Sequence, residues 1–328
     1  MQPLLVRIVR DWPYPADFFR QLPGRVSVYN GVEFTEDPVA TCDYLIVLQR
    51  PPYEIRTQCP KGNAWLITQE PPADFFRFHR RSFKYFDKVF SYFTDVNHPH
   101  VQTMQPVLPW HVAKSYDELM AVTKRSIGNK QEELVWITSD RRAFPGHKAR
   151  MDFKDYLLSV HFDFHLYGTG FQPIADKFDG LFPYKYALAI ENSSVDHYWT
   201  EKLADCFLSW CLPFYWGAPN LEDYFPPESF IRIDIHKPEE ALRIIRQTIA
   251  NREWEKRIDA IEMSRNLILN KYQFFPYLAG LIQQDVISNK KMGMHQYTIP
   301  ENPFPLKHKV TNLTKYYYKR ISDLFLLK

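Results

Sequence analysis

Glycine is scarce in this chain of 328 residues, with 11 glycines against 25 prolines. The balance suggests long, stiffened loops. None of the glycines forms a phosphate-cradling or nucleophile-elbow signature. G-x-x-x-x-G-K-[ST], G-x-G-x-x-G and G-x-S-x-G are all absent, which removes P-loop, dinucleotide and serine-hydrolase chemistry. Cysteine is sparse too. Cys42, Cys59, Cys206 and Cys211 form no C-x-x-C, and no histidine lies at zinc-finger spacing, so the thiols read as reduced and structural in a cytoplasmic chain. No uninterrupted apolar run is long enough to span a bilayer. Residues 1–10, MQPLLVRIVR, are too short and too charged for a secretory signal. Charge of one sign is also lacking. A net +3 and pI of about 8.5 are too mild to imply nucleic acid. His98, His100, His111, His161 and His165 match no metal signature, and there is no D-x-D. No metal or other cofactor is therefore expected.

Aromatics are abundant, at 16%, chiefly as core material. Leu4–Val9, Tyr44–Leu48, Ala64–Thr68, Lys88–Ser91 and Thr103–Val107 read as strands, and the continuous apolar run YLIVL is of the buried parallel type. A helix is expected over Asp117–Lys124 and a polar linker over Ser126–Glu133. The pattern then restarts. Strands are expected at Leu134–Ser139, Phe164–Tyr167, Tyr186–Ile190, Leu212–Trp216 and Phe230–Ile233. Helices are expected at Lys148–Ser159, from Thr200, and over Pro238–Ala250 and Glu253–Leu269. Alternating strands and helices in two consecutive halves predict an α/β protein with two Rossmann-like domains facing across a cleft. The expected bounds are 1–128 and 129–285. A tail, 286–328, is expected to pack back on the first domain; its basic and aromatic end, KYYYKRISDLFLLK, could alternatively touch the inner face of a membrane.

Ligands of such folds sit beyond the carboxyl ends of strands, and polar groups concentrate there. Thr200 reads as a helix N-cap with Lys202 in the first turn, an anion site in outline that a capped core helix would also satisfy. Arg150 follows the basic loop Arg141–His147 and suits a diphosphate. Glu70, at a strand end closed by Pro71-Pro72, suits a general base if burial raises its pKa.

The stretch Tyr184–Asp234 resembles the α-1,3/α-1,4-fucosyltransferases, glycosyltransferase family ten, of the bacterial type without a membrane stem. The residues that carry the likeness are Ile190-Glu191-Asn192-Ser193, His197-Tyr198-Trp199-Thr200-Glu201-Lys202, Leu212 through Gly217, and Ser229-Phe230-Ile231. Weaker likeness covers Trp136–Ser139, His147–Arg150, Tyr167-Gly168, Gln69–Pro72 and Phe86–Thr94. The resemblance implies a GT-B fold, with the glycan acceptor on the first domain and the GDP-sugar on the second. It also implies inverting transfer of a sugar, L-fucose by default, to a glycan hydroxyl, in α-1,3 linkage. Glu70 would be the base. Arg150 and Lys202 would hold the diphosphate and offset charge on departing GDP without a metal. Tyr167, Gly168, Glu191, Asn192, Ser193, Tyr198, Thr200 and Glu201 would complete the donor site. His197 stands where the family has Asp, Trp199 where it has Ile or Val, and Asp140 where it has Asn. A different nucleotide-sugar donor, or a catalytically silent nucleotide- or glycan-binding protein, are the alternatives.

Overall fold

The computed structural model describes residues 2–12, 17–72, 74–93, 95–96, 98–128, 130–288 and 292–303. The basic, aromatic stretch 315–328 lies outside them.

Two sheets organise the chain. The first contains β1 (Leu4–Arg10), β2 (Val28–Tyr29), β3 (Val32–Thr35), β4 (Tyr44–Leu48), β6 (Ala64–Ile67), β7 (Lys88–Ser91) and β8 (Val101–Thr103), in the order β2-β3-β1-β4-β6-β7-β8. All pairings are parallel except the β2–β3 hairpin. Every residue of β4 is buried, as the unbroken run YLIVL requires when both faces are covered. The remaining strand of this half, β5 (Ile55–Pro60), pairs antiparallel with Met294–Ile299 near the end of the chain.

The second sheet contains β9 (Glu132–Ile137), β10 (His165–Tyr167), β11 (Tyr184–Ile190), β12 (Leu212–Trp216) and β13 (Ile231–Arg232), all parallel, in the order β10-β9-β11-β12-β13. Its helices are α1 (Tyr116–Ala121), α2 (Pro145–Ser159), α3 (Lys177–Leu181), α4 (Glu201–Leu208), α5 (Pro238–Ala250), α6 (Glu253–Lys256) and α7 (Ile258–Leu267). One face is covered by α2, α5 and α7 through Phe153, Leu157, Ile245 and Ile261. The other is covered by α4 through Leu203 and Phe207.

The cores divide the chain differently from the linker reading. Trp110, Val112 and Leu119 already sit in the second core, so the crossing precedes Trp110 rather than falling at Ser126–Glu133. At the far end the final helix, α8 (Phe274–Ser288), returns to the first sheet. It buries Phe274, Phe275, Leu278 and Ile282 against β1, β3, β4 and β6. The first domain is thus discontinuous, and most of α8, although inside the expected 129–285 bounds, packs with the first sheet. The expected strand Thr103–Val107 is also shorter than read. β8 ends at Thr103, and Val107 adopts a positive φ of 49°, incompatible with a strand.

The carboxyl edges of the two parallel sheets face each other. Tyr92, after β7, and Tyr198, after β11, touch across the gap with ring centroids 4.8 Å apart, and Phe76, after β6, lies 5.8 Å from Phe144, after β9.

Candidate active site

On the second domain, a cavity of about 630 Å³ opens beyond β9, β10 and β11. Its cationic lining comes from Arg141, Arg150, Lys177 and Lys202, with His147 beside them. Gly168, Asn192 and Glu201 also face it. Of the residues marked in the sequence, Arg150, Gly168, Asn192, Glu201 and Lys202 therefore converge on one space.

Local structure explains the convergence. α2 starts at Pro145, which suits a first helical turn because no amide donor is lost there. Gly146 lets that turn lie against the Asn192 backbone, where a Cβ would collide. Arg150 is thereby carried inward; the residue is 4% exposed, and its buried Nε has no hydrogen-bond partner among the described residues. Burial lowers its pKa; Glu191, Glu201 and Tyr198 oppose that. Gly168 has φ of 120° and packs on the Thr138 carbonyl, a position only glycine fits. Asn192 Oδ1 and Ser193 Oγ are buried and unpartnered among the described residues.

The start of α4 is locked from below. Thr200 caps the helix, accepting from the Lys202 amide at 3.3 Å. Glu191, fully buried at the end of β11, accepts from the Thr200 amide at 2.8 Å and its hydroxyl at 2.8–2.9 Å. Lys202 Nζ lies 3.3 Å from both Glu191 and Glu201. Burial raises the Glu191 pKa, against Lys202. Burial also works to raise Glu201, yet Lys202, His111 and Lys177 hold it well below the ordinary carboxylate range. Burial depresses Lys202, and Glu191 and Glu201 more than restore it. The ammonium thus stays charged at the cavity wall.

Five residues marked on this domain do not line the cavity: Ser193, whose hydroxyl is buried, Thr200 at the cap, and Glu191, Tyr167 and Tyr198. Glu191 turns its carboxylate inward and serves the loop and cap. Tyr167 shares its hydroxyl with Tyr184 at 3.2 Å and packs against the second core. Tyr198 is buried at the domain contact. Conversely, the cavity contains Lys177, paired to Asp205 at 2.9 Å. Asp205 also accepts the His111 and Val112 amides at 2.8 and 3.2 Å, tying the interdomain crossing to α4. Burial lowers His147, helped by Arg150, Arg141 and Lys202, to about 4, so it lines the site as a neutral imidazole. No local pattern announces Lys177 or His111; tertiary packing alone brings them in.

Across the cleft, Glu70 follows β6. Gln49 Oε1 accepts the Gln69 amide at 2.6 Å and the Glu70 amide at 2.9 Å. The Tyr92 hydroxyl donates to the Glu70 carbonyl, and Trp12 Nε1 donates to Gln69 Oε1 at 2.7 Å. The backbone is fixed at three points around one carboxyl, and the Gln69 side chain at a fourth. Burial, then the charges of Asp11 and Glu201, raise Glu70 to about 7 against the pull of Lys202. A carboxyl poised there exchanges protons near neutral pH. Asp11 itself is paired with Arg50 at 2.8 Å.

His197 and Trp199, the departures in the loop, face away from the cavity. His197, at φ of 65°, bonds the Tyr224 hydroxyl at 2.7 Å and takes the Asn220 side chain on its amide at 2.7 Å. Trp199 packs on Phe225 and Tyr272 in the core.

Two facing parallel sheets with a cationic cavity beyond the carboxyl edge of the second define a GT-B protein. An alpha1,3-fucosyltransferase crystallised with GDP-fucose aligns over 88% of this chain and 92% of its own, at a TM-score of 0.52 and 18% identity. An alpha-glucosyltransferase in complex with UDP and a 13-mer DNA aligns over 87% and 100%, at 0.51 and 11%. Residues 127–254 match the family described as glycosyltransferase family 10 (fucosyltransferase) C-term. Over this stretch the chain is similar to glycosyltransferase family 10. The 4-galactosyl-N-acetylglucosaminide 3-alpha-L-fucosyltransferase 9 of Bos taurus is 32% identical over 133 residues, 38% of this chain and 35% of that enzyme. The 3-galactosyl-N-acetylglucosaminide 4-alpha-L-fucosyltransferase of Homo sapiens is 25% identical over 265 residues, 75% and 69%. The match thus spans about a third of the bovine relative's length. No helix among the described residues is long and apolar enough to cross a membrane.

Proposed function

We propose that the protein transfers L-fucose from GDP-fucose to a glycan hydroxyl, in α-1,3 linkage and with inversion at the anomeric carbon. The observation that carries this reading is the opposition of one poised carboxyl, Glu70, to a cationic wall holding Arg150 and Lys202. The acceptor oxygen attacks the anomeric carbon, the bond from that carbon to the β-phosphate oxygen breaks, and Glu70 takes the hydroxyl proton. Arg150 and Lys202 stabilise the charge growing on GDP, a role that buried Arg150, with its Nε unpartnered among the described residues, is already oriented to fill. In this scheme no divalent ion is required, and turnover persists in EDTA. Asn192, Ser193 and Gly168 bound the donor pocket, while Glu191 and Thr200 hold the α4 turn that presents Lys202.

Fucose is supported by where the departures fall: His197 and Trp199 lie in the loop but not at the cavity. The relatives, both fucosyltransferases, point the same way. The test is Glu70→Gln, assayed for transfer from GDP-fucose and for GDP binding. Transfer falls by about 10³-fold or more while GDP affinity holds within about twofold. Near-normal turnover in the variant removes Glu70 as base. GDP binding without transfer or hydrolysis of any GDP-sugar by the unaltered protein would make it a silent binding protein.

A further inference from the structure

A cavity of about 1010 Å³ lies away from the cleft. It sits at the amino ends of β6, β7 and β8, beside the Lys61-Gly62 turn, the helical segment Asp74–Tyr85 and the His98–His100 loop. Glu70 follows the opposite end of β6. The four residues of that strand separate the two sites by about 13 Å.

Its lining is cationic and only partly neutralised. Arg80 pairs with Asp95 at 2.7 Å, and Lys88 with Asp285. The wall's own carboxylate, Asp87, is engaged by the Tyr297 hydroxyl at 2.5 Å and the Ala64 amide at 3.0 Å. Lys61, Arg81 and Lys84 are exposed and have no carboxylate partner among the described residues; Lys84 rests over the Tyr85 ring at 5.1 Å. His98 and His100 complete the rim. Unpaired like charges converging from separate elements repel one another, and a multivalent anion held between them relieves that repulsion. Phe83 and Phe86 are buried beneath them, giving the bowl a firm floor.

We infer that this bowl binds a ligand carrying two or more phosphate groups, at a site separate from the donor cavity. Inorganic tripolyphosphate is the probe, titrated calorimetrically with the cleft saturated by GDP so that Arg150 and Lys202 are occupied. Binding is expected, weakening as salt rises. The triple variant Lys61→Ala, Arg81→Ala, Lys84→Ala should lose about tenfold or more in affinity and keep GDP binding and transfer. Circular dichroism verifies its fold, and Lys202→Ala serves as the reverse control, with tripolyphosphate binding intact. Vesicles of phosphatidylglycerol in phosphatidylcholine then distinguish sources. Sedimentation that tripolyphosphate competes away assigns the phosphates to lipid headgroups; tripolyphosphate binding without sedimentation assigns them to a soluble ligand. Absence of tripolyphosphate binding, or undiminished binding in the triple variant, overturns the inference. Neither result depends on whether the cleft transfers fucose.

Discussion

Glu70 is held at about 7 by burial and by two carboxylates, not by a partner. That arrangement favours the protonated acid in the empty protein. Between the ordinary carboxylate range and about 7 the folded state binds the proton that the unfolded chain releases, so Glu70's contribution to stability falls as pH rises through that window. Catalysis has the opposite sign, because the base works only when deprotonated. Transfer should therefore rise with an acidic limb centred near 7, while the melting temperature of the ligand-free protein declines over the same interval. Glu70→Gln should flatten both, raising the melting point at pH 8 as it abolishes turnover. A pH–rate profile set beside a pH–melting series checks the pair. Arg150 is the other residue whose surroundings define its task. Arg150→Lys keeps a positive charge but loses the planar fork, and GDP affinity measured by calorimetry should drop by about 10- to 100-fold.

At the scale of elements, the start of α4 shows how much one hydroxyl can organise. Thr200 accepts from the helix and donates to a wholly buried Glu191. Thr200→Val preserves shape but removes both functions, and should cost about 2–3 kcal/mol in urea unfolding; a loss below about 0.5 kcal/mol would mean the cap is dispensable. This cap was legible in the sequence, as were elements bounded by their own punctuation. Tyr44–Leu48, Leu212–Trp216 and Pro238–Ala250 appear in the structure end to end, since a doubly covered strand must be apolar throughout and proline opens a helix cleanly. Elements defined by distant partners were not legible. β5, IRTQCP, is a strand because Met294–Ile299 lies beside it. α8 is apolar on most sides and carries Pro276 in its first turn, so it shows no amphipathic period. Glu253–Leu269, read as one helix, breaks at Arg257 and ends in a π-turn over Ile268–Tyr272. Within the site, Arg150, Gly168, Asn192, Glu201 and Lys202 follow strands or open helices and could be found from those positions. Lys177, His111 and the inward turn of Glu191 depend on packing that no local window contains.

At the scale of the molecule, the two sheets are joined by more than the crossing before Trp110. Tyr92 and Tyr198 touch, Arg20 donates to the Val112 carbonyl at 2.7 Å, and Gln273 Nε2 donates to the Gln21 carbonyl at 3.0 Å. α8 fills the first core from the other end of the chain. A chain ending at residue 273 should therefore keep the second sheet's strands and core but leave the first core open. Limited proteolysis should cut it within residues 1–104 while sparing 110–273; equal resistance in both halves would show that α8 is an accessory rather than a component.

The return of α8 and Met294–Ile299 to the first sheet also sets an order of events during synthesis. The opening hundred residues leave the ribosome with one sheet face bare and β5 unpaired. They stay so until residues beyond Phe274 have been made, since their covering helix begins there. The second sheet, whose strands run without interruption from Glu132 to Arg232, has all its covering helices by Tyr272. The half that is translated first is thus the half that matures last, and its nascent apolar face is the surface a chaperone would have to shield.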